Sequence, residues 1–185
     1  MQRAGVMAIM AAALACASAV ARADAAVEHV SVIAGRGSRV DTLGIGMGTP
    51  AWRRWSLRAS SLALYGTAGV TLWHGRDAHP RVRWLADLSA YPVLRLDLAP
   101  ASSVSPYVEG AVGVHLLSHT RINERRTLST AFQFGELLGA GIVFGARRQY
   151  DVGVLLQHVS NGSIKVPNDG LTTVNLVFRY AFTPP

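Results

Sequence analysis

Residues 81–98 alternate one by one between two kinds of side chain. One parity reads Val82, Trp84, Ala86, Leu88, Ala90, Pro92, Leu94, Leu96 and Leu98, without a charge. The other reads Arg81, Arg83, Leu85, Asp87, Ser89, Tyr91, Val93, Arg95 and Asp97, with three Arg and two Asp. A β-strand sends these sets to opposite faces. The run is about three times the length of a common strand. In a soluble sandwich the apolar face would turn inward. In a membrane barrel the assignment reverses, apolar side to lipid and polar side to a packed lumen.

The pattern recurs along the chain. Val108, Gly110, Val112, Val114 and Leu116 alternate with Glu109, Ala111, Gly113 and His115, and residues 132–144 and 174–182 behave alike. Eight strands are expected, at about 26–36, 39–49, 55–73, 81–98, 104–118, 130–145, 150–161 and 171–182. Short turns fall at 49–50, 100–103 and 147–149, and longer loops at 36–39, 74–80, 118–127 and 162–169. Short turns alternating with longer loops, an even strand count and an aromatic last strand are habits of outer-membrane barrels. The expected fold class is all-β, an eight-stranded antiparallel transmembrane (outer-membrane) β-barrel with a side-chain-filled interior. Arg83, Asp87, Arg95, Asp97, Glu109, His115 and Arg179 are expected inside it, as a structural plug and not a transport path.

Composition narrows the class further. Only 16% of residues are charged and 50% are hydrophobic, which excludes a disordered chain and argues against a polar, solvent-bathed enzyme. The single cysteine, Cys16, rules out an intrachain disulfide and a Cys/His zinc cluster, so no metal or other cofactor is expected. Arg3, the uncharged stretch 5–20 and Ala21-Arg22-Ala23 read as a secretory signal peptide over 1–23, leaving one barrel domain over 24–185. A transmembrane helix would need about 20 apolar residues. A lipoprotein signal at Cys16 would want a larger aliphatic residue where Ala13 stands.

On the seventh strand Val152, Val154, Leu156, His158 and Ser160 share one parity. The early members assign that parity to lipid, so His158 and Ser160 protrude from a greasy face. Their Cα atoms are roughly 6.6–7 Å apart, close enough for imidazole to reach hydroxyl. Polar groups facing lipid without a purpose are unfavourable. A Ser–His pair is the minimal unit of nucleophile and general base. Parity alone leaves a second reading open, two polar residues tolerated at the headgroup level.

His158-Val159-Ser160-Asn161-Gly162, followed by Pro167-Asn168-Asp169-Gly170, resembles the signature of the lipid A 3-O-deacylases, the PagL family. Weaker similarity covers nearly the whole mature chain, including Tyr107-Val108-Glu109-Gly110 and Leu138-Gly139-Ala140-Gly141. The resemblance implies a hydrolase of the Gram-negative outer membrane, acting on lipid A of lipopolysaccharide without a cofactor. It implies Ser160 as nucleophile toward the acyl ester at position 3 of the proximal glucosamine. His158 would be general base and then acid. Asn161 and the backbone N–H groups after it would hold the oxyanion.

One position departs from the family pattern. The family's third catalytic member is a Glu, and the matching residue is Thr172. Thr can orient an imidazole but cannot stabilise imidazolium as an anion does. Glu136 and Asp169 are the candidate substitute acids. A loop centred on Lys165 would set Thr172 across from His158. A hairpin centred on Arg148 would set Glu136 across from Ser160 and Leu138 across from His158.

All but one of the 18 basic residues are Arg, the better bidentate phosphate binder. Arg76, Arg121, Arg125 and Arg126 sit in long loops, where lipid A phosphates would be. The expected partners are lipid A and outer-membrane lipid, with no nucleic acid; a homodimer is left open. Two rival functions remain at this stage. One is a non-enzymatic adhesion or structural barrel. The other is a soluble lipid-binding barrel of lipocalin type, which the charges shared by one face of residues 81–98 disfavour.

Overall fold

The computed structural model describes residues 27–76, 84–123 and 126–182. The expected signal peptide, Arg83 and Arg125 lie outside the described residues. Eleven strands follow in chain order: β1 (His29–Gly37), β2 (Val40–Gly48), β3 (Arg53–Leu57), β4 (Ser60–Gly75), β5 (Trp84–Asp97), β6 (Ser105–Leu117), β7 (Arg121–Asn123), β8 (Arg126–Thr127), β9 (Phe132–Phe144), β10 (Tyr150–Ser160) and β11 (Leu171–Ala181). The eight long ones pair antiparallel in the order β2-β1-β11-β10-β9-β6-β5-β4, and β2 with β4 closes the ring. Among the described residues no helix is long and apolar enough to cross a membrane. Closure leaves no long strand with an unpaired edge, which is what spanning a bilayer demands of strands.

Alternation sets the faces as expected. Leu88, Val112, Leu138, Val154 and Leu176 point outward, while Leu85, Tyr107, Val143 and Val177 are buried inside. The inward charges pair. Arg95 lies 2.7 Å from Glu109 and 2.8 Å from Asp151, and Arg179 lies 2.5 Å from Glu109 and 3.1 Å from Asp151. The Tyr107 hydroxyl donates to Asp151 at 2.7 Å and that of Tyr65 to Glu109 at 3.0 Å. Toward the loop end of the lumen His115 Nδ1 bonds Asp87 at 2.8 Å, and its Nε2 meets Tyr91, which accepts from Gln157 at 2.8 Å. Two Arg shared by two carboxylates leave no charge alone, the condition under which buried charge is tolerable.

The two ends differ. At the turn end, Phe144, Tyr150, Phe178, Tyr180 and Phe182 form a chain of ring contacts at 5.5–6.3 Å. This is the interfacial girdle expected of the last strand. At the loop end, β7 and β8 fold over the mouth. Ile122 and Leu128 there pack with Trp73, Leu85, Val159 and Leu171 in a buried apolar cap.

Three sequence expectations need correction. The strand expected at 55–73 is two elements, because the chain turns at Arg58 (φ 38°) and β3 pairs back onto the start of β4. The connection after β2 is therefore a small hairpin and not a tight turn at Thr49–Pro50. The β9–β10 hairpin is centred on Arg147, not Arg148. Gly145 (φ 100°) and Arg148 (φ 55°) make a five-residue loop, with Phe144 opposite Tyr150. Glu136 consequently faces His158, Leu138 faces Leu156, and Ser160 faces Phe134. The slip is two residues, so every side chain keeps its face.

Candidate active site

β10 and β11 pair with His158 opposite Thr172, the register of a loop centred on Lys165. His158 Nδ1 lies 2.8 Å from Thr172 Oγ1, its one hydrogen bond among the described residues. If Nδ1–H is the donor, the tautomer leaves Nε2 as a base. Gly170 closes on the same ring. It sits at φ 50°, and a Cβ there would lie 3.0 Å from His158 Cε1. Glycine at this position therefore meets both the left-handed backbone and the close approach.

Ser160 follows His158 on the same face, half-buried and opposite Phe134. No hydrogen bond joins the two side chains. Such bonds are commonly long without substrate and tighten in the complex.

Asn161, the next residue, is held inside the loop. Its side chain is fully buried, and Nδ2 donates to the carbonyls of Leu128 at 2.9 Å and Lys165 at 2.7 Å. Its backbone N–H donates to Asn168 Oδ1 at 3.1 Å. Through these bonds Asn161 braces the loop against the cap. The N–H groups of Gly162 (φ 60°) and Ser163 (φ 67°) have no partner among the described residues.

The two candidate acids separate. Asp169 Oδ2 accepts the Thr127 N–H at 2.6 Å, and its carbonyl accepts from Arg126 at 2.8 Å. Its carboxylate ties the β10–β11 loop to the cap and is not given to His158. Ser129 adds a bond to the Pro167 carbonyl at 2.6 Å. Glu136 stands on the outer face across the β9–β10 ladder from His158, without an ion pair to it. Opposed Cβ atoms lie about 4.5–5.5 Å apart, within reach of a rotamer change. Glu136, His158 and Thr172 line the head of an apolar groove of about 770 Å³ that runs down the outer wall past Leu138, Leu156 and Gly110.

Of the loop arginines, Arg76 pairs with Asp41 at 3.2 Å and Arg126 donates to the Asp169 carbonyl at 2.8 Å. Among the described residues no group of His, Cys, Asp or Glu is arranged to hold a metal. The braces from Leu128 and Thr127 were missed from sequence. They join loops more than thirty residues apart, and only the Pro-Asn-Asp-Gly element hinted at them.

A family model described as Lipid A 3-O-deacylase (PagL) matches residues 41–181. The chain belongs to this family. It is 32% identical over 125 residues to the lipid A deacylase PagL of Pseudomonas aeruginosa, covering 68% of each protein. It is 36% identical over 76 residues to that of Bordetella bronchiseptica, 41% of each. The crystal structure of the outer membrane enzyme PagL superposes with a TM-score of 0.72 at 30% identity, covering 82% of this chain and 98% of that one. This PagL-family barrel is thus an outer-membrane barrel, and the family's activity is that of an ester hydrolase.

Proposed function

We propose that this chain is an outer-membrane serine esterase that removes the 3-O-linked acyl chain from lipid A. Ser160 is the nucleophile, His158 the base and Thr172 its orienter. The observation that carries the reading is placement. His158 and Ser160 share the lipid-facing side of β10, and His158, with Thr172 on Nδ1, lines a groove apolar enough to take an acyl chain.

The substrate's chains already lie in the membrane, so its ester reaches this wall laterally. Ser160 Oγ attacks the carbonyl carbon while His158 Nε2 takes the hydroxyl proton. The N–H groups of Gly162 and Ser163 hold the oxyanion. The tetrahedral adduct collapses, the C–O bond to the sugar breaks, and His158 returns the proton to the departing sugar hydroxyl. Water then attacks the acyl-Ser160 ester through the same base and releases a 3-hydroxy fatty acid. Thr172 fixes the ring and its tautomer. Glu136, facing the ring across the ladder, supplies the negative charge that the transient imidazolium needs.

Purified protein incubated with lipid A in detergent tests this. Wild type releases a 3-hydroxy fatty acid, and Ser160→Ala and His158→Ala release none. Undiminished release by Ser160→Ala would overturn the assignment.

A further inference from the structure

A second recess lies beside the first. It has a volume of about 610 Å³, and its lining includes Phe134, Val114, Ala90, Ala68, Gly66 and Trp52. The ladder explains its course. Ser160, Phe134, Val114, Ala90 and Ala68 form one in-register outward row across β10, β9, β6, β5 and β4. His158, Glu136 and Val112 begin the next row, continued by Pro92 and Gly66. Successive outward rows are about 6.6–7 Å apart. The first groove lies on one side of the His158 row, the second on the other, and Pro92 and Val112 belong to both.

The floor is recessed for identifiable reasons. Ala68, Ala90 and Gly66 carry little or no side chain. The β5–β6 ladder jumps from Ala90–Val114 to Val93–Ala111, since Pro92 has no N–H to give. Trp52, from the connection before β3, lies flat on Gly66, where a Cβ would come 2.5 Å from its ring. It forms the lower wall.

We infer that this second groove seats another acyl chain of the same lipid A molecule, beside the chain being cleaved. The inference rests on the lipid A reading above. Bulk lipid could fill any dent, but this one opens at Phe134, the cross-strand partner of Ser160. An occupant in register has its head next to the nucleophile, one strand away, while the chain in the first groove brings its ester to Ser160. Chains on neighbouring positions of one sugar hang side by side, as the two grooves do. The enzyme would then select a multiply acylated glycolipid over a single-chain ester.

The experiment compares two substrates on purified protein in detergent. One is a glucosamine phosphate bearing two 3-hydroxyacyl chains, and the other a p-nitrophenyl ester of one 3-hydroxy fatty acid. Ala68→Leu and Ala90→Phe fill the second groove from the lipid side. Each is expected to lower kcat/KM on the two-chain substrate about tenfold more than on the single-chain ester, the scale of a blocked apolar subsite. Gly110→Leu, where a Cβ meets Leu138 only at 3.6 Å, fills the first groove and should lower both alike. Equal effects of Ala90→Phe and Ala68→Leu on the two substrates would overturn the second seat. Wild type inactive on both would overturn the hydrolase reading itself, and this inference with it.

Discussion

Thr172 stands where the resemblance would set an acidic residue, and its consequences are local. It contributes one neutral hydrogen bond to His158 Nδ1. Such a bond is worth about 0.5–1.5 kcal/mol. Thr172→Val should therefore lower kcat by about two- to twelvefold with KM little changed, and Thr172→Glu should raise kcat. Steady-state release of fatty acid measures both. Glu136→Gln removes the charge facing the ring and should cost about tenfold, from roughly 1.4 kcal/mol of lost electrostatic support. Asp169→Asn keeps an acceptor for the Thr127 N–H and should cost little. The reverse ranking would make Asp169 the acid. Period two sufficed to place His158 and Ser160 on the outer wall. Asn161 shares its parity with Val159 and is buried with it. What parity could not show was where the amide hydrogens go, because Leu128 is far away in the chain.

The β10–β11 hairpin and the cap act as one element. Asn161, Asp169 and Pro167 bind the loop to residues 126–129, and Gly170 seats the imidazole. Gly170→Ala strains a left-handed backbone and pushes on the ring. It should depress kcat at least tenfold while the barrel still shows the folded band in a heat-modifiability gel. A variant with full activity would remove Gly170 from the account. Loop length governed how well these elements could be read. The register of β10 on β11 follows from a loop centred on Lys165. The five-residue loop between β9 and β10 hid a two-residue slip that moved Glu136 from Ser160 to His158. The β3 hairpin was invisible, because its short strand continues the parity-blurred stretch of Gly and Ser around it.

At the scale of the molecule, lumen and wall carry separate burdens. Arg95, Arg179, Glu109 and Asp151 hold the interior, and Glu109→Gln would leave part of two buried guanidinium charges unmatched. Breaking a buried pair costs about 3–5 kcal/mol. A lower thermal midpoint by circular dichroism in detergent should follow, with kcat of the folded fraction unchanged. The barrel class was legible because closed membrane barrels impose alternation on every strand. The plug's full pairing was not, since only the closed lumen brings Arg95 of β5 to Asp151 of β10 and Arg179 of β11 to Glu109 of β6. The proposed chemistry belongs to the wall, and one measurement tests that most directly: the mass spectrum of lipid A from Gram-negative cells expressing this protein. Wild type should shift lipid A down by the mass of one ester-linked 3-hydroxyacyl chain, and Ser160→Ala, equally abundant in the outer membrane, should leave it intact. The same shift with both proteins, or none with either, would contradict a nucleophile on the barrel's outer surface.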